Sequence, residues 1–473
     1  MFRAITLRTH SPIKLAGIAG AGALILFLSI APLRWAFAVL ASTAVAILVL
    51  IRPAAGLLGI ALLIPVSQLL SIPFGGITLV DLLIGLTLVA WLMSGVWHRQ
   101  ITLHPARLAW PLFVFVWVGA LSLTQATSWR EGVPEWLKWV EFALVYVLAI
   151  QLLDRRWRWY VMAGLFLAGV GQAVLGAYQF LRQAGPEAFV LMGRFMRAYG
   201  TFRQPNPYAG YLGYLAPVAV SLSLDRLKLW WAVRVWRNLV VGLAYGCVAV
   251  ALVGGIIMSW SQGAWLGLVA GLLVVVVLHS RWAAGLTCAL ITIVILVALL
   301  PGPGFLTSGR MLPPSIAGRL AELANYVSAP DPARSEITDE NFSVLERLAH
   351  WAAGLNMFAD HPWLGVGIGN YAVAYGRYAL PHWYEPLGHA HNVYLNFLAE
   401  TGILGTAAFA SLWLASIWHA LRQAGQADRA RAALAIGLLG TLIYLTVHNV
   451  FDNLFVHHMQ LQLALLLGMS ERG

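Results

Sequence analysis

The segment Gly388-His389-Ala390-His391-Asn392 runs directly into an apolar stretch that begins Val393-Tyr394-Leu395. An imidazole titrates near neutrality and can accept a proton from a hydroxyl, so His391 is a candidate general base. A plainer reading is an interfacial histidine that caps a helix. The His389-x-His391 spacing also resembles half a metal site, with His382, His361 and Asp360 nearby in sequence. No third ligand stands at a recognisable spacing, so no metal is expected.

A second group could hold an anion. Arg194, Arg197 and Arg203 lie close together, and Arg197 opens the run Arg-Ala-Tyr-Gly-Thr-Phe-Arg-Gln-Pro-Asn206. Guanidinium groups stay charged and bind phosphate oxygens in a bidentate fork. Arginines anchoring the end of a membrane span would look the same. Arg347 and His350 sit one turn apart on a predicted helix, off its apolar face, and a solvated helix face is the alternative. Pro362-Trp-Leu-Gly365-Val-Gly367-Ile-Gly369 has glycines two apart, which is not a dinucleotide fingerprint and reads as a backbone-driven turn. Asn449, Asp452, Asn453, His457 and His458 flank the last apolar run, where they could line a cavity or serve packing.

The elements that must position these residues are membrane spans. Of the 473 residues, 60% are hydrophobic and 10% charged, and the mean hydropathy is +0.77. A soluble domain carries about 25% charged residues. Apolar runs of the roughly 20 residues needed to cross a bilayer recur without alternation, so helices are expected rather than barrel strands. The fold class predicted is an all-α polytopic membrane protein of about 12–14 transmembrane helices. The expected spans are 15–31, 34–51, 54–72, 77–97, 108–124, 137–153, 159–181, 208–224, 238–258, 262–279, 282–300, 392–418, 431–450 and 454–469. The net charge of +11 falls in short loops and reports topology, not nucleic acid. Cys247 and Cys288 lie inside apolar runs, so neither an exposed disulfide nor a cysteine-based metal site is implied. Ala36-Phe37-Ala38 faintly resembles a signal-peptidase site, but the apolar character continues past it, so a first span is expected. The Lys/Arg bias puts both termini in the cytoplasm and 182–207 and 301–390 outside.

Four parts follow: N-terminal spans at 1–200, spans with the Arg197 segment at 201–300, a large outer loop at 301–390, and C-terminal spans at 391–473. The outer loop should be structured and contain short helices. Ser343-Val-Leu-Glu346 reads as a capping box, followed by Leu345, Leu348, Ala352 and Leu355 at helical spacing, ending near Asp360-His361-Pro362. An earlier amphipathic stretch carries Ile316, Leu320, Leu323 and Val327. Mid-span positions are largely apolar, and no internal repeat is evident, which argues against a transporter or flippase.

Three segments in this order resemble the O-antigen ligase and polymerase superfamily of bacterial envelope glycan transferases. They are Arg197 through Asn206, Arg347 through the Pro362-x-x-Gly365-x-Gly367 turn, and His391-Asn392 followed after nine residues by Gly402-Ile-Leu-Gly405. The last is the most specific. The resemblance covers about 200–470. It implies a metal-independent transferase without cofactors, in the bacterial inner membrane with its active site outside. The donor would be an undecaprenyl diphosphate-linked glycan, and the acceptor a glycan or glycolipid hydroxyl, as in lipopolysaccharide biosynthesis. Repeat-unit polymerisation is the alternative within the superfamily. His391 would be the base, Arg197 a diphosphate binder, and Asn206, His389, Asn392, Gly402 and Gly405 supporting residues. Members commonly carry Ser-Arg-Gly at a later span start, where this chain has Ser261-Gln262-Gly263. Arg203 or Arg347 would then supply the missing charge.

Overall fold

A computed structural model describes residues 32–70, 77–99, 103–191, 195–280, 282, 285, 331–338 and 341–471. The expected span 15–31, all of 282–300 but residues 282 and 285, and the Ile316–Val327 stretch lie outside the described residues. The rest is helical: α1 Leu33–Ile51, α2 Ala54–Leu63 with a 3₁₀ turn to Leu69, α3 Leu79–Trp97, α4 Ala109–Ser122, α5 Trp129–Leu152 and α6 Arg155–Arg182. A two-stranded hairpin follows, β1 Val190–Leu191 and β2 Phe195–Met196. Then come α7 Pro205–Gly213, α8 Ala216–Val233, α9 Trp236–Met258, α10 Gln262–His279, α11 Phe342–Asp360, α12 Tyr371–Tyr375, α13 Val393–Ala424, α14 Arg429–His448 and α15 Gln460–Glu471. Six of these are long and apolar enough to cross a membrane (α3, α6, α9, α10, α13 and α14), and α1, α2 and α4 are shorter apolar helices. Exposed Leu82, Trp110, Leu167, Val250, Val269 and Leu414 give the bundle a lipid-compatible exterior. The chain is an all-α polytopic membrane protein, as its sequence predicts.

Two expected spans are interrupted. The run 208–224 is split between α7 and α8 at Tyr214–Leu215, where Pro217 opens the second helix. The run 392–418 is one long element broken at Gly402, whose backbone sits at φ +61°, ψ −161°. That conformation is open essentially to glycine alone. The break is filled by the Pro362–Gly367 turn. Val366 and Gly367 donate to the carbonyls of Ala399 and Glu400, and Ile403 and Leu404 donate to those of Pro362 and Trp363. Four hydrogen bonds from another segment thus replace the two that a continuous helix would make. A Cβ on Gly402 would lie 2.4 Å from the Trp363 carbonyl carbon. Gly402→Ala is therefore expected to destabilise the protein by at least about 2 kcal/mol. Thermal unfolding of purified protein checks this against Ile403→Ala, which keeps the backbone geometry and should cost much less.

Small residues set the helix spacing beneath the site. Gly263, Gly267 and Gly271 form one stripe of α10. Cβ atoms there would meet His448, the Tyr444 carbonyl and the Gly440 carbonyl of α14 at 2.5–2.9 Å. Such a stripe brings backbones together where lipid supplies no hydrophobic drive. It sets the start of α10 against the end of α14.

One end of the bundle collects the loops that matter. Thr201 Oγ1 donates to the Pro65 carbonyl, and Arg197 Nε to that of Ser259. Ile368 N donates to Ser122 Oγ, Val393 N to the Asn449 carbonyl, and His458 contacts Asp81 at 2.8 Å. The segments 195–207, 342–392 and 449–459 therefore share one end. The basic residues Arg155, Arg158, Arg226 and Arg431 gather at the other.

Two details of α11 differ from expectation. Its N-cap is Asn341 and no side-chain cap bond forms, so the Ser343–Glu346 capping box is absent. Of the predicted stripe Leu345, Leu348, Ala352 and Leu355, Leu345 is buried; beyond it the buried face runs through Ala349, Ala353 and Met357. His350, expected off the apolar face, is 1% exposed. The helix ends at His361, as predicted.

Candidate active site

His391 stands in the turn before α13, in left-handed backbone at φ +51°. For a residue with a Cβ this costs about 1–2 kcal/mol. Its neighbours hold it there. The His391 N–H donates to His389 Nδ1, and the Ala390 N–H to Asn396 Oδ1. Asn392 caps α13 by accepting from the Tyr394 and Leu395 N–H groups. The position after the histidine therefore needs a side chain that can cap. Asn392 serves as that cap, one residue from His391.

Both ring nitrogens of His391 are buried and lack a hydrogen-bond partner. The nearest anion is Asp452, whose Oδ1 lies 3.8 Å from His391 Nδ1 and 3.8 Å from His389 Nε2. That is too long for a hydrogen bond and short enough for strong attraction. Burial pulls the Asp452 carboxyl upward, but the imidazoles of His391, His389 and His448 more than offset it and hold it below the usual carboxylate range. Asp452 thus stays ionised beside the candidate base. On the other side, the His350 ring lies 5.9 Å from that of His391 and stacks at 4.6 Å on Tyr375. His350 also contacts the Tyr371 hydroxyl at 3.2 Å.

Burial, and then the charge of the neighbouring imidazoles, lowers His350 to about 4 and His389 to about 4. Both are neutral at pH 7, so neither competes for a proton released nearby. Glu346 also acts on this group. Burial raises its carboxyl, and His391 and Arg347 partly counter that.

The arginines fall into two sets. Arg197 Nε donates to the Ser259 carbonyl at 2.9 Å, and its Nη2 to Asn206 Oδ1 at 3.1 Å. Ser259 leads to Ser261, whose Oγ is 3.5 Å from His448 Nε2, and His448 acts on the Asp452 charge. Arg197 thus lies on the Ser259 carbonyl two residues before Ser261, and Arg347 acts on His448 and Glu346 from α11. Arg203 is exposed, and the nearby histidine whose charge it acts on is His457. No described contact ties Arg203 to His391. Gln262, where the resemblance leads one to expect arginine, is the first residue of α10.

Gly402 and Gly405 shape the α13 break and its next turn, where a Cβ on Gly405 would meet Thr401 Oγ1 at 2.1 Å. They support the fold beneath the site. Of the C-terminal polar residues, Asn449 and Asn453 satisfy backbone N–H groups of Leu454 and Phe455. Asp452 is the site residue that sequence reasoning left undecided between cavity and packing.

His389, His391 and Asp452 offer ligand atoms that all lie within 4.8 Å of one another. The third group that spacing did not reveal is present in space, so distance alone would accommodate one metal ion. Asp81, Glu141 and His458 form a second such cluster, where the 2.8 Å Asp81–His458 contact pins the 449–459 segment to the start of α3.

Residues 247–410 match the family model described as O-Antigen ligase. The match spans Arg347, His389, His391, Asn392, Gly402 and Gly405 and leaves Arg197, Asn206 and Asp452 outside. No curated protein matches the chain.

Proposed function

Starting from a chain that carries the O-antigen ligase family domain, we propose that it moves a glycan from an undecaprenyl diphosphate-linked donor to an acceptor hydroxyl. The acceptor is a glycan or glycolipid, and the reaction takes place at the outer face of the bacterial inner membrane. Family membership carries the class, a membrane-embedded glycan-processing enzyme. The observation that carries the mechanism is His391: a half-buried ring whose two nitrogens are buried and without a hydrogen-bond partner, in constrained backbone, with an ionised carboxylate 3.8 Å from Nδ1.

In this mechanism the acceptor hydroxyl attacks the anomeric carbon, and His391 Nε2 takes its proton. The Asp452 carboxylate stabilises the imidazolium that forms, as the carboxylate does in any base–orienter pair. His350 and His389, held neutral, do not repel that new charge. The bond from the anomeric carbon to the phosphate oxygen breaks, and its electron pair leaves with the lipid diphosphate. Arg197 and Arg347 receive that growing negative charge. The α10 N-terminus adds the partial positive charge of its first-turn N–H groups, which offsets the missing family arginine at Gln262. The isoprenoid tail remains in lipid while its head group sits beneath the 342–392 segment.

The test is transfer in vitro by purified protein supplied with lipid diphosphate-linked glycan and an acceptor. Activity is expected to persist in excess EDTA, because the arginines neutralise the diphosphate and Asp452 orients the base. Loss of activity in chelator, restored by one divalent metal, would instead make His389, His391 and Asp452 its ligands. Release of glycan to water without transfer to an acceptor would overturn the transferase assignment.

A further inference from the structure

A cavity of about 370 Å³ opens at the end of the bundle remote from His391, between the starts of α6 and α14 and the later half of α8. Arg155 and Arg158 come from α6, Arg226 from α8 and Arg431 from α14. Asp154 and Asp428 also line it. Along α14, Arg431 and His448 are separated by about 25 Å, so the cavity and the candidate active site belong to opposite leaflets.

The loop-charge bias explains why basic residues occur at this end. It does not explain their convergence. That bias needs only that guanidinium groups lie beyond the hydrocarbon, yet Arg158 is 8% exposed. Three separate elements turn arginines toward one space. With four cations against two anions among the lining residues the cavity keeps a net positive charge, although Asp428 Oδ2 pairs with Arg431 Nε at 3.2 Å. Both aspartates also have a structural task. Asp154 accepts from the Arg156 and Trp157 N–H groups, and Asp428 from those of Ala430 and Arg431. Each thereby caps a helix whose N-terminal dipole points at the cavity. Trp159 and Leu434 supply an apolar wall to the same space.

Converging guanidinium groups recognise phosphate, by charge and by forked hydrogen bonds. We infer that this cavity binds a phosphate group, a role separate from glycan transfer. Two sources offer that chemistry: the headgroup of an anionic phospholipid in the adjoining leaflet, and soluble phosphate. The apolar wall fits the first, because a headgroup arrives with its glycerol and acyl chains attached.

The experiment is binding to purified, delipidated protein, read by native mass spectrometry and by the shift in thermal unfolding. Separate samples receive phosphatidylglycerol, cardiolipin, phosphatidylcholine or inorganic phosphate, and no donor or acceptor is present. One or two anionic lipids should be retained and raise the unfolding temperature, and phosphatidylcholine should do neither. Arg226→Gln and Arg431→Gln, both at half-buried positions, should each weaken retention by about tenfold or more. Arg155→Gln is an exposed-site variant that should act in the same direction and more weakly. A shift with inorganic phosphate that shows the same variant dependence keeps the site and makes the source soluble. Equal retention of phosphatidylcholine, or unchanged retention in the arginine variants, would overturn it. His391→Ala should bind these lipids as the unaltered protein does, so failure of the transfer mechanism and failure of this site are separately visible.

Discussion

His391→Ala is expected to cut turnover by about 100-fold or more, the usual scale for removing a general base. Donor binding should change little, because in the proposed mechanism the ring acts on the acceptor. The structure sharpens the expectation for its neighbours. Asp452→Asn keeps the shape of the carboxylate but removes the charge 3.8 Å from Nδ1, so it should lower turnover less than loss of the ring, with little effect on apparent donor affinity. His389→Ala removes the acceptor of the His391 N–H. It loosens the turn without removing the base, and its effect should be milder than that of His391→Ala. Transfer kinetics with donor titration, on variants shown to insert and unfold normally, separate these outcomes. If His391→Ala turns over at a near-normal rate while His389→Ala is inactive, the base is misassigned.

How far the sequence shows this site depends on whether a feature is local. His391 and its capping Asn392 are adjacent, and both are legible from one short segment. Arg197 and Asn206 are nine residues apart in one segment, and the structure joins them by a hydrogen bond. Asp452 was not assignable, because all of α13 and α14 separates it from His391 and nothing about a lone acid after a span marks its partner. The Pro362–Gly367 turn is legible as a turn. Its insertion into α13 is not, since a helix broken at Gly402 and repaired by hydrogen bonds from elsewhere leaves only a glycine as its local trace. The phase of α11 failed for a different reason. Leu345 packs beside Trp383 as its spacing predicts, but toward α13 the helix presents Ala353 and Gly354 in place of Ala352 and Leu355. Ala349, Ala353 and Gly354 are buried while Leu355 is 48% exposed. The same preference for small residues explains why the glycine stripe of α10 lies against α14, where Val275 also packs on Gly440.

Arg197→Ala is expected to differ from His391→Ala in kind. It removes a cation that the proposed mechanism places on the donor diphosphate, so apparent donor affinity should fall along with turnover. Charge grows on the leaving group as the bond breaks, and an arginine that holds it contributes more in the transition state than in the bound state. Loss of one charge-assisted contact of this sort is worth about 1.5–3 kcal/mol, roughly 10- to 150-fold in kcat/KM. Arg197→Lys keeps the charge but not the fork. It also cannot donate to the Ser259 carbonyl and Asn206 Oδ1 in the observed geometry, so it should rescue poorly. Asn206→Ala is the decisive companion. It removes one anchor of the guanidinium while leaving the cation in place, so it should raise the donor KM modestly with a smaller change in kcat. Should Arg197→Lys and Asn206→Ala both behave as the unaltered enzyme while Arg197→Ala is fully inactive, a diffuse charge at the interface would suffice, and the bidentate contact with the diphosphate would be wrong.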